Sequence, residues 1–230
     1  MSTIELVVFD MAGTTVHDED SVNRCVRDAL GAAGLSVTPT EVNEVMGLPK
    51  PEAIAILVER SGRLGDLADR LEAIYRDFVA RSLAFYGNDP SVREIAGASR
   101  VFERLQRAGI RVALNTGFDR AITSVILDRL GWSKSPLIDA TICSDEAPRG
   151  RPHPDMILEL MRRMQVVDPQ RVAKVGDTPA DLEEGRNARC GLIVGVTQGT
   201  HRRDELERHP HTHLIDTIAD LPDLLGLEAG

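Results

Sequence analysis

Apolar and polar positions along the chain follow two patterns. Short runs rich in β-branched residues stand at IELVVF (4–9), IRVALN (110–115), IDATIC (138–143), RVAKVG (171–176) and LIVGVT (192–197), with a weaker one at THLID (212–216). Runs this short and this continuously apolar suit strands buried on both faces. Between 110 and 197 each run is followed by apolar positions at helical spacing, which predicts an α/β fold with a parallel sheet and right-handed crossovers. Residues 17–89 break the alternation. They offer no strand, but Val22, Val26, Ala29, Leu30 and Ala33 share one helical face, and Leu67, Leu71, Ile74, Phe78 and Leu83 mark another. YGNDPS (86–91) then supplies turn residues, after which the α/β pattern begins. The prediction is a core domain made of 1–16 and 90–230, with 17–89 inserted as a helical cap over the sheet's edge.

Composition narrows the classes of partner. A chain of 230 residues, 42% hydrophobic and 27% charged, has the balance of a soluble globular protein with a sizeable core. A formal charge of −9 argues against nucleic acid and against anionic membrane surfaces. No apolar run approaches the ~20 residues that span a bilayer. The start, MSTIELVVF, lacks the basic region and cleavage site of a secretory signal. Cys25, Cys143 and Cys190 have no metal-like spacing and suit a reducing cytoplasm as small buried hydrophobes. HPHTH (209–213) reads as solvated surface, since no carboxylate or thiolate cluster accompanies it.

In an open parallel sheet, ligands bind beyond the carboxyl ends of the strands. The first run ends in Asp10, Ala12, Gly13 and Thr14; the second in Asn115, Thr116 and Gly117; the fourth in GDTPAD, with Asp177 and Asp181. PRGRPHPD (148–155) adds Arg149 and Arg151. Singly, each is ordinary: a lone aspartate after a strand is a common turn former, and GDTPAD is a common capped helix start. Their conjunction is not. Clustered carboxylates suit Mg²⁺, loop amides and helix N-termini suit phosphate, and a carboxylate is a competent nucleophile toward phosphorus. Signatures of P-loop, dinucleotide-binding, serine-hydrolase and zinc-protease chemistry are absent.

Over essentially its whole length the sequence resembles the haloacid dehalogenase superfamily. FDMAGTT, LNTG, GRPHPD and VGDTPADLEEGRNA look like its four motifs, and the helical stretch looks like its cap. The fold implied is a three-layer Rossmann-like core with an all-helical cap. Most members carry Asp-x-Asp in the first motif and lysine in the third; here those places hold Asp10-Met11-Ala12 and Arg151. Both departures resemble the phosphonatase branch, whose type member hydrolyses phosphonoacetaldehyde. That branch also uses a cap lysine, and VMGLPKPEAI (45–54) supplies Lys50, with Met46 on the substrate side. Of 27 lysines and arginines only Lys50, Lys134 and Lys174 are lysines, so an amine kept at position 50 has a chemical meaning an arginine could not serve.

What the resemblance implies is an Mg²⁺-dependent hydrolase cleaving the C–P bond of a 2-oxoalkyl phosphonate, phosphonoacetaldehyde or a relative. Lys50 would form an imine and Asp10 would take the phosphoryl group. The metal would be held by Asp10, the Ala12 carbonyl and Asp177, with Asp181 behind. Gly13, Thr14, Thr116 and Gly117 would hold phosphoryl oxygens, and Arg151 would neutralise developing charge. Ala12 fits this chemistry, because an enamine leaving group needs no acid at that place. The branch's histidine three residues after the lysine is Ala53 here, and its phenol after the second motif is Phe118. Proton movement then falls to water or to another base such as His17. A phosphomonoesterase with Lys50 binding anions, and a receiver-like regulatory domain, are the alternatives. The resemblance also implies a homodimer through the cap.

Overall fold

The computed structural model describes residues 4–227, so the outermost residues of the expected 1–16 and 90–230 segments lie outside it. Six strands form: β1 (Leu6–Phe9), β2 (Arg111–Thr116), β3 (Ala140–Cys143), β4 (Val172–Gly176), β5 (Leu192–Val196) and β6 (His213–Ile215). Each falls within a residue of a run read from the sequence. Every neighbouring pair is parallel, in the order β3-β2-β1-β4-β5-β6. Between β1 and β2 lie α1 (Ser21–Ala32), α2 (Pro39–Asn43), α3 (Lys50–Arg60), α4 (Leu64–Leu67), α5 (Leu71–Asn88) and α6 (Ala98–Arg107). The crossovers and the C-terminal part carry α7 (Arg120–Arg129), α8 (Asp155–Arg163), α9 (Pro179–Asn187), α10 (Arg203–Leu206) and α11 (Leu221–Leu224).

The period-2 alternation of the strands divides the core into two layers. Val7, Phe9, Ala173 and Val175 face one apolar cluster, which takes in α6, α7 and α11; Phe9 meets Phe102 of α6 at 5.3 Å between ring centroids. Leu6, Val8, Ala113 and Val172 face the other, filled by Met156, Ile157 and Leu160 of α8 and Leu182 of α9. Register decides where the chemistry emerges. Phe9 lies level with Leu114 on one side and Val175 on the other, so Asp10 leaves the sheet beside Asn115 and Gly176. Its amide donates to the Val175 carbonyl at 2.9 Å.

The helical residues pack as the spacing predicts: Val22, Val26, Ala29, Leu30 and Ala33 are all buried, as are Leu67, Ile74 and Phe78, while Leu71 and Leu83 are half-buried. Their cluster runs without a break into the first face of the sheet. The expected turn at 86–91 starts late. α5 continues through Asn88, because Tyr86 is buried edge-on against Phe118, 5.7 Å between centroids, and that packing overrides the turn preference of Gly87 and Asn88. The turn comes at Asp89, whose carboxylate accepts from the Ser91 amide at 2.9 Å. The chain leaves and re-enters the sheet region alongside itself: Ile95 donates to the Thr15 carbonyl at 2.8 Å and His17 to Arg93 at 3.0 Å. The three cysteines are free and buried, and no helix among the described residues is long and apolar enough to cross a membrane.

Candidate active site

Asp10 is the first residue past β1 and is 5% exposed. The loop after it closes on the Met11 carbonyl, which accepts from the amides of Thr14, Thr15 and Val16 at 3.2, 2.8 and 2.8 Å. Gly13 takes φ 90°, and a Cβ there would lie 2.3 Å from Asp177 Oδ2, so only glycine lets this loop lie against the β4 loop. Thr14 donates its hydroxyl to Asp177 Oδ1 at 2.8 Å, and the Thr200 amide donates to Asp177 Oδ2 at 2.7 Å. Asp181 stands in the first turn of α9, where a reciprocal capping arrangement with Thr178 fixes it; the Thr178 hydroxyl donates to Oδ2 at 2.6 Å.

Asp10, Asp177 and Asp181 each bring one carboxylate oxygen to within 4.8 Å of the others, and all three are buried. Burial, then the charges of Asp10 and Asp181, pushes Asp177 up to about 7. Burial also raises Asp10, against the pull of Arg151. Burial pushes Asp181 the same way, but Arg151 and then Lys174 hold it below the usual carboxylate range. Asp181 Oδ1 lies 3.1 Å from Arg151 Nη1 and 2.9 Å from Lys174 Nζ, yet neither approach has hydrogen-bond geometry. Buried carboxylates that repel one another, with one oxygen unsatisfied, are the donor set a hard divalent cation takes. The residues fit Mg²⁺.

Arg151, 1% exposed, ties the cluster to its neighbours. Nη1 donates to Asp10 Oδ1 at 2.6 Å, Nη2 to Asn115 O and Oδ1 at 2.7 and 2.6 Å, and Nε to Glu184 Oε2 at 3.1 Å. Lys174 sits beneath it, donating to Asn115 Oδ1 at 2.6 Å and pairing with Glu184 Oε2 at 3.2 Å. Asn115 Nδ2 in turn donates to both Glu184 oxygens at 2.9 Å. Sequence reasoning gave Lys174 and Glu184 no role. The signals were a lysine at the centre of an apolar strand buried on both faces, and a glutamate three residues after Asp181 on one helix face.

Lys50 opens α3 and is 4% exposed, with Nζ donating to the Leu48 carbonyl at 3.2 Å and lying 5.6 Å from the centroid of Phe118. Burial lowers its ammonium to about 8, an effect the Asp10 charge partly opposes. Asp10, Ala12, Met46, Lys50, Thr116, Gly117 and Arg151 line one cleft, together with Asp18, Val22 and Phe118. Gly13, Thr14, Asp177 and Asp181 do not line it; they form the layer behind Asp10. His17, expected to stand in as a base, points elsewhere: its Nε2 is 2.8 Å from Glu19 and 2.6 Å from Arg93 at the surface. The β1–α1 segment turns it away from the cleft because its backbone pairs with Arg93. Arg149 is likewise at the surface, paired with Asp155 at 3.0 Å.

Known proteins share this architecture. The haloacid dehalogenase-like hydrolase profile matches residues 4–189. A phosphonoacetaldehyde hydrolase of Bacteroides fragilis is 29% identical over 237 residues, covering 96% of this chain and 88% of that protein. The crystal structure of a phosphonoacetaldehyde hydrolase-like protein from Oleispira antarctica superposes with a TM-score of 0.83 at 23% identity, covering 98% of this chain and 92% of that one. That of a predicted phosphoglycolate phosphatase from Haemophilus somnus 129pt superposes at 0.81 and 20% identity, covering 97% and 99%. With a family match that takes in both the Asp10 loop and the Asp177–Asp181 turn, the chain belongs to the haloacid dehalogenase-like hydrolases and is an enzyme of that superfamily.

Proposed function

We propose that this hydrolase cleaves the C–P bond of a 2-oxoalkyl phosphonate, phosphonoacetaldehyde or a close relative. One observation carries the reading: a buried lysine lines the same cleft as the Asp10 nucleophile, while the place of a leaving-group acid is Ala12. An ammonium lowered to about 8 yields free amine near neutral pH, the form that adds to a carbonyl. Lys50 Nζ condenses with the substrate carbonyl, water leaves, and the iminium becomes an electron sink. An oxygen of Asp10 bonds to phosphorus as the C–P bond breaks, and that bond's electron pair neutralises the iminium to an enamine. Water then releases phosphate from Asp10, and the enamine takes a proton and is hydrolysed. Arg151 holds Asp10 in place and stays charged beside the phosphoryl group. Thr116 and Gly117 face its oxygens, with Gly13 and Thr14 shaping the loop behind them.

Asp10, Asp177 and the Ala12 carbonyl would hold Mg²⁺, with Asp181 as an outer partner. When bound, the metal supplies positive charge to the phosphoryl oxygens. The reading divides the chain into a core of 1–16 and 90–230 and a cap of 17–89, and places the enzyme in the cytoplasm as a dimer joined through the cap. Borohydride trapping tests it. Wild type incubated with phosphonoacetaldehyde or 2-oxopropylphosphonate should acquire a reduced adduct on Lys50 by mass spectrometry, and Lys50→Arg should lose both adduct and phosphate release. Phosphate release from such compounds with no adduct would instead favour a phosphomonoesterase-like role in which Lys50 binds anions.

A further inference from the structure

The imine chemistry needs a proton donor that the residues assigned so far do not include. Departure of the carbinolamine oxygen as water takes one proton, and conversion of the enamine carbon to a methyl or methylene takes another. Position 53, one turn after Lys50, is a buried alanine, and His17 is bound to surface partners. Four titratable side chains line the cleft: Asp10, Asp18, Lys50 and Arg151. Asp10 is committed to phosphorus, Lys50 to the carbonyl carbon, and arginine does not give up its proton.

We propose that Asp18 is the proton-transfer residue of this site, an assignment that rests on the imine reading of Lys50. Its position suits the task in two ways. The carboxylate is held still, Oδ1 accepting from the Ser21 amide at 2.7 Å and the Val22 amide at 3.4 Å. It also lines two adjoining spaces at once: the cleft with Lys50, and a polar one with Asn23, Asn43 and Thr200. A proton given in the cleft can therefore be replaced from water in the second space.

Asp18 carboxylic acid gives its proton to the carbinolamine hydroxyl, which leaves as water, and the iminium forms. Reprotonated from water in the second space, it gives a second proton to the enamine carbon after the C–P electron pair has passed to nitrogen. The carboxylate then accepts a proton from the water that adds to the regenerated iminium, which frees the ketone or aldehyde and the Lys50 amine. Burial raises the Asp18 carboxyl, the direction a donor needs. The titratable groups around it are Asp20 on its own segment, Lys50 from α3, Asp10 in the same cleft, Tyr86 from α5 and Cys25 from α1.

A simpler account makes Asp18 only a helix cap, and the choice of variants separates the two. Asparagine keeps an oxygen at the same reach from the Ser21 and Val22 amides, and neither asparagine nor serine can serve as the acid at this place. Asp18→Asn should keep the wild-type Tm and KM, and both Asp18→Asn and Asp18→Ser should lose about 10²–10⁴ in kcat and the corresponding limb of the kcat–pH profile. Added formate should restore part of the Asp18→Ser rate, and His17→Gln should match wild type. If wild type traps the Lys50 adduct while both Asp18 variants keep kcat within threefold and an unchanged profile, the Asp18 assignment is overturned and the imine stands. If wild type traps no adduct, both fall.

Discussion

An ammonium 4% exposed has given up nearly all of its water, and at Lys50 the Leu48 carbonyl at 3.2 Å is its one hydrogen-bond partner among the described residues. The consequence is thermodynamic as well as catalytic. Its pKa falls from 10.5 in the unfolded chain to about 8 in the folded one. Between those values the unfolded chain binds more protons, so stability rises with pH through that window; below about 8 the full cost of burying the charge is present. At 1.36 kcal/mol per pH unit that cost is on the order of 3 kcal/mol. Lys50→Met should therefore raise Tm by several degrees at pH 7 and should lack the wild-type gain in stability between pH 8 and 10. Parallel wild-type and variant curves in a Tm–pH series would show that burial of this amine does not set the slope. On the proposed mechanism the gain in stability would come with complete loss of the imine, the pattern expected of a residue kept for chemistry.

At the scale of elements, Lys50 is held by the way its loop meets three others. A Cβ at Gly150 would lie 2.2 Å from Pro49 Cγ, and one at Gly117 would lie 2.5 Å from the Leu48 carbonyl oxygen. The segment ahead of α3 is thus seated on the loops that follow β2 and precede α8, with no room for one methyl group. Gly150→Ala should displace Pro49 and the amine after it. Since a misplacement of about 1 Å can cost 10²-fold, kcat/KM should fall by about that factor, with slower borohydride labelling of Lys50 and Tm little changed. Labelling and turnover at wild-type rates would show the contact to be incidental. This seating was not legible in the sequence, where MGLPK and PRGRP are two separate loops 100 residues apart. The strands were legible because burial on both faces leaves a continuous apolar run, and α1 because its apolar stripe is complete. Asp10 and Asp177 could be found from their places at strand ends, and Arg151 from the basic loop ahead of α8 together with the family resemblance. Lys174 and Glu184 left a weaker signal, a lysine in mid-strand and a glutamate one turn after Asp181, and its meaning emerges only when register places Lys174 opposite Val8 and beneath Asn115.

Over the whole molecule, the buried acids gather at the place where the proposed reading seats an anionic substrate. The buried charges at and behind the cleft are four carboxylates, of Asp10, Asp177, Asp181 and Glu184, against three cations, Arg151, Lys174 and Lys50. The balance is one negative charge, so on the proposed reading a dianionic phosphonate needs the added charge of a divalent cation to enter. Asp177 carries the imbalance: raised from 3.8 to about 7, it binds its proton more tightly in the folded chain than in the unfolded one. Metal-free stability should therefore fall with rising pH across that window, the cost being fully present above about 7. Mg²⁺ competes for the same oxygens and should reverse the trend. At 100 times its Kd it contributes about 2.7 kcal/mol, and less at pH 5, where the Asp177 proton must be displaced first. The expected result is a Tm increase on adding Mg²⁺ that is larger at pH 8 than at pH 5, is removed by EDTA, and is absent in Asp177→Asn. Asp177→Asn should also be the more stable protein without metal above pH 7, because its oxygen can still accept from the Thr200 amide and its NH2 can donate to the Thr14 hydroxyl while the charge is dropped. An Mg²⁺ response equal at both pH values, or retained in Asp177→Asn, would place the cation elsewhere.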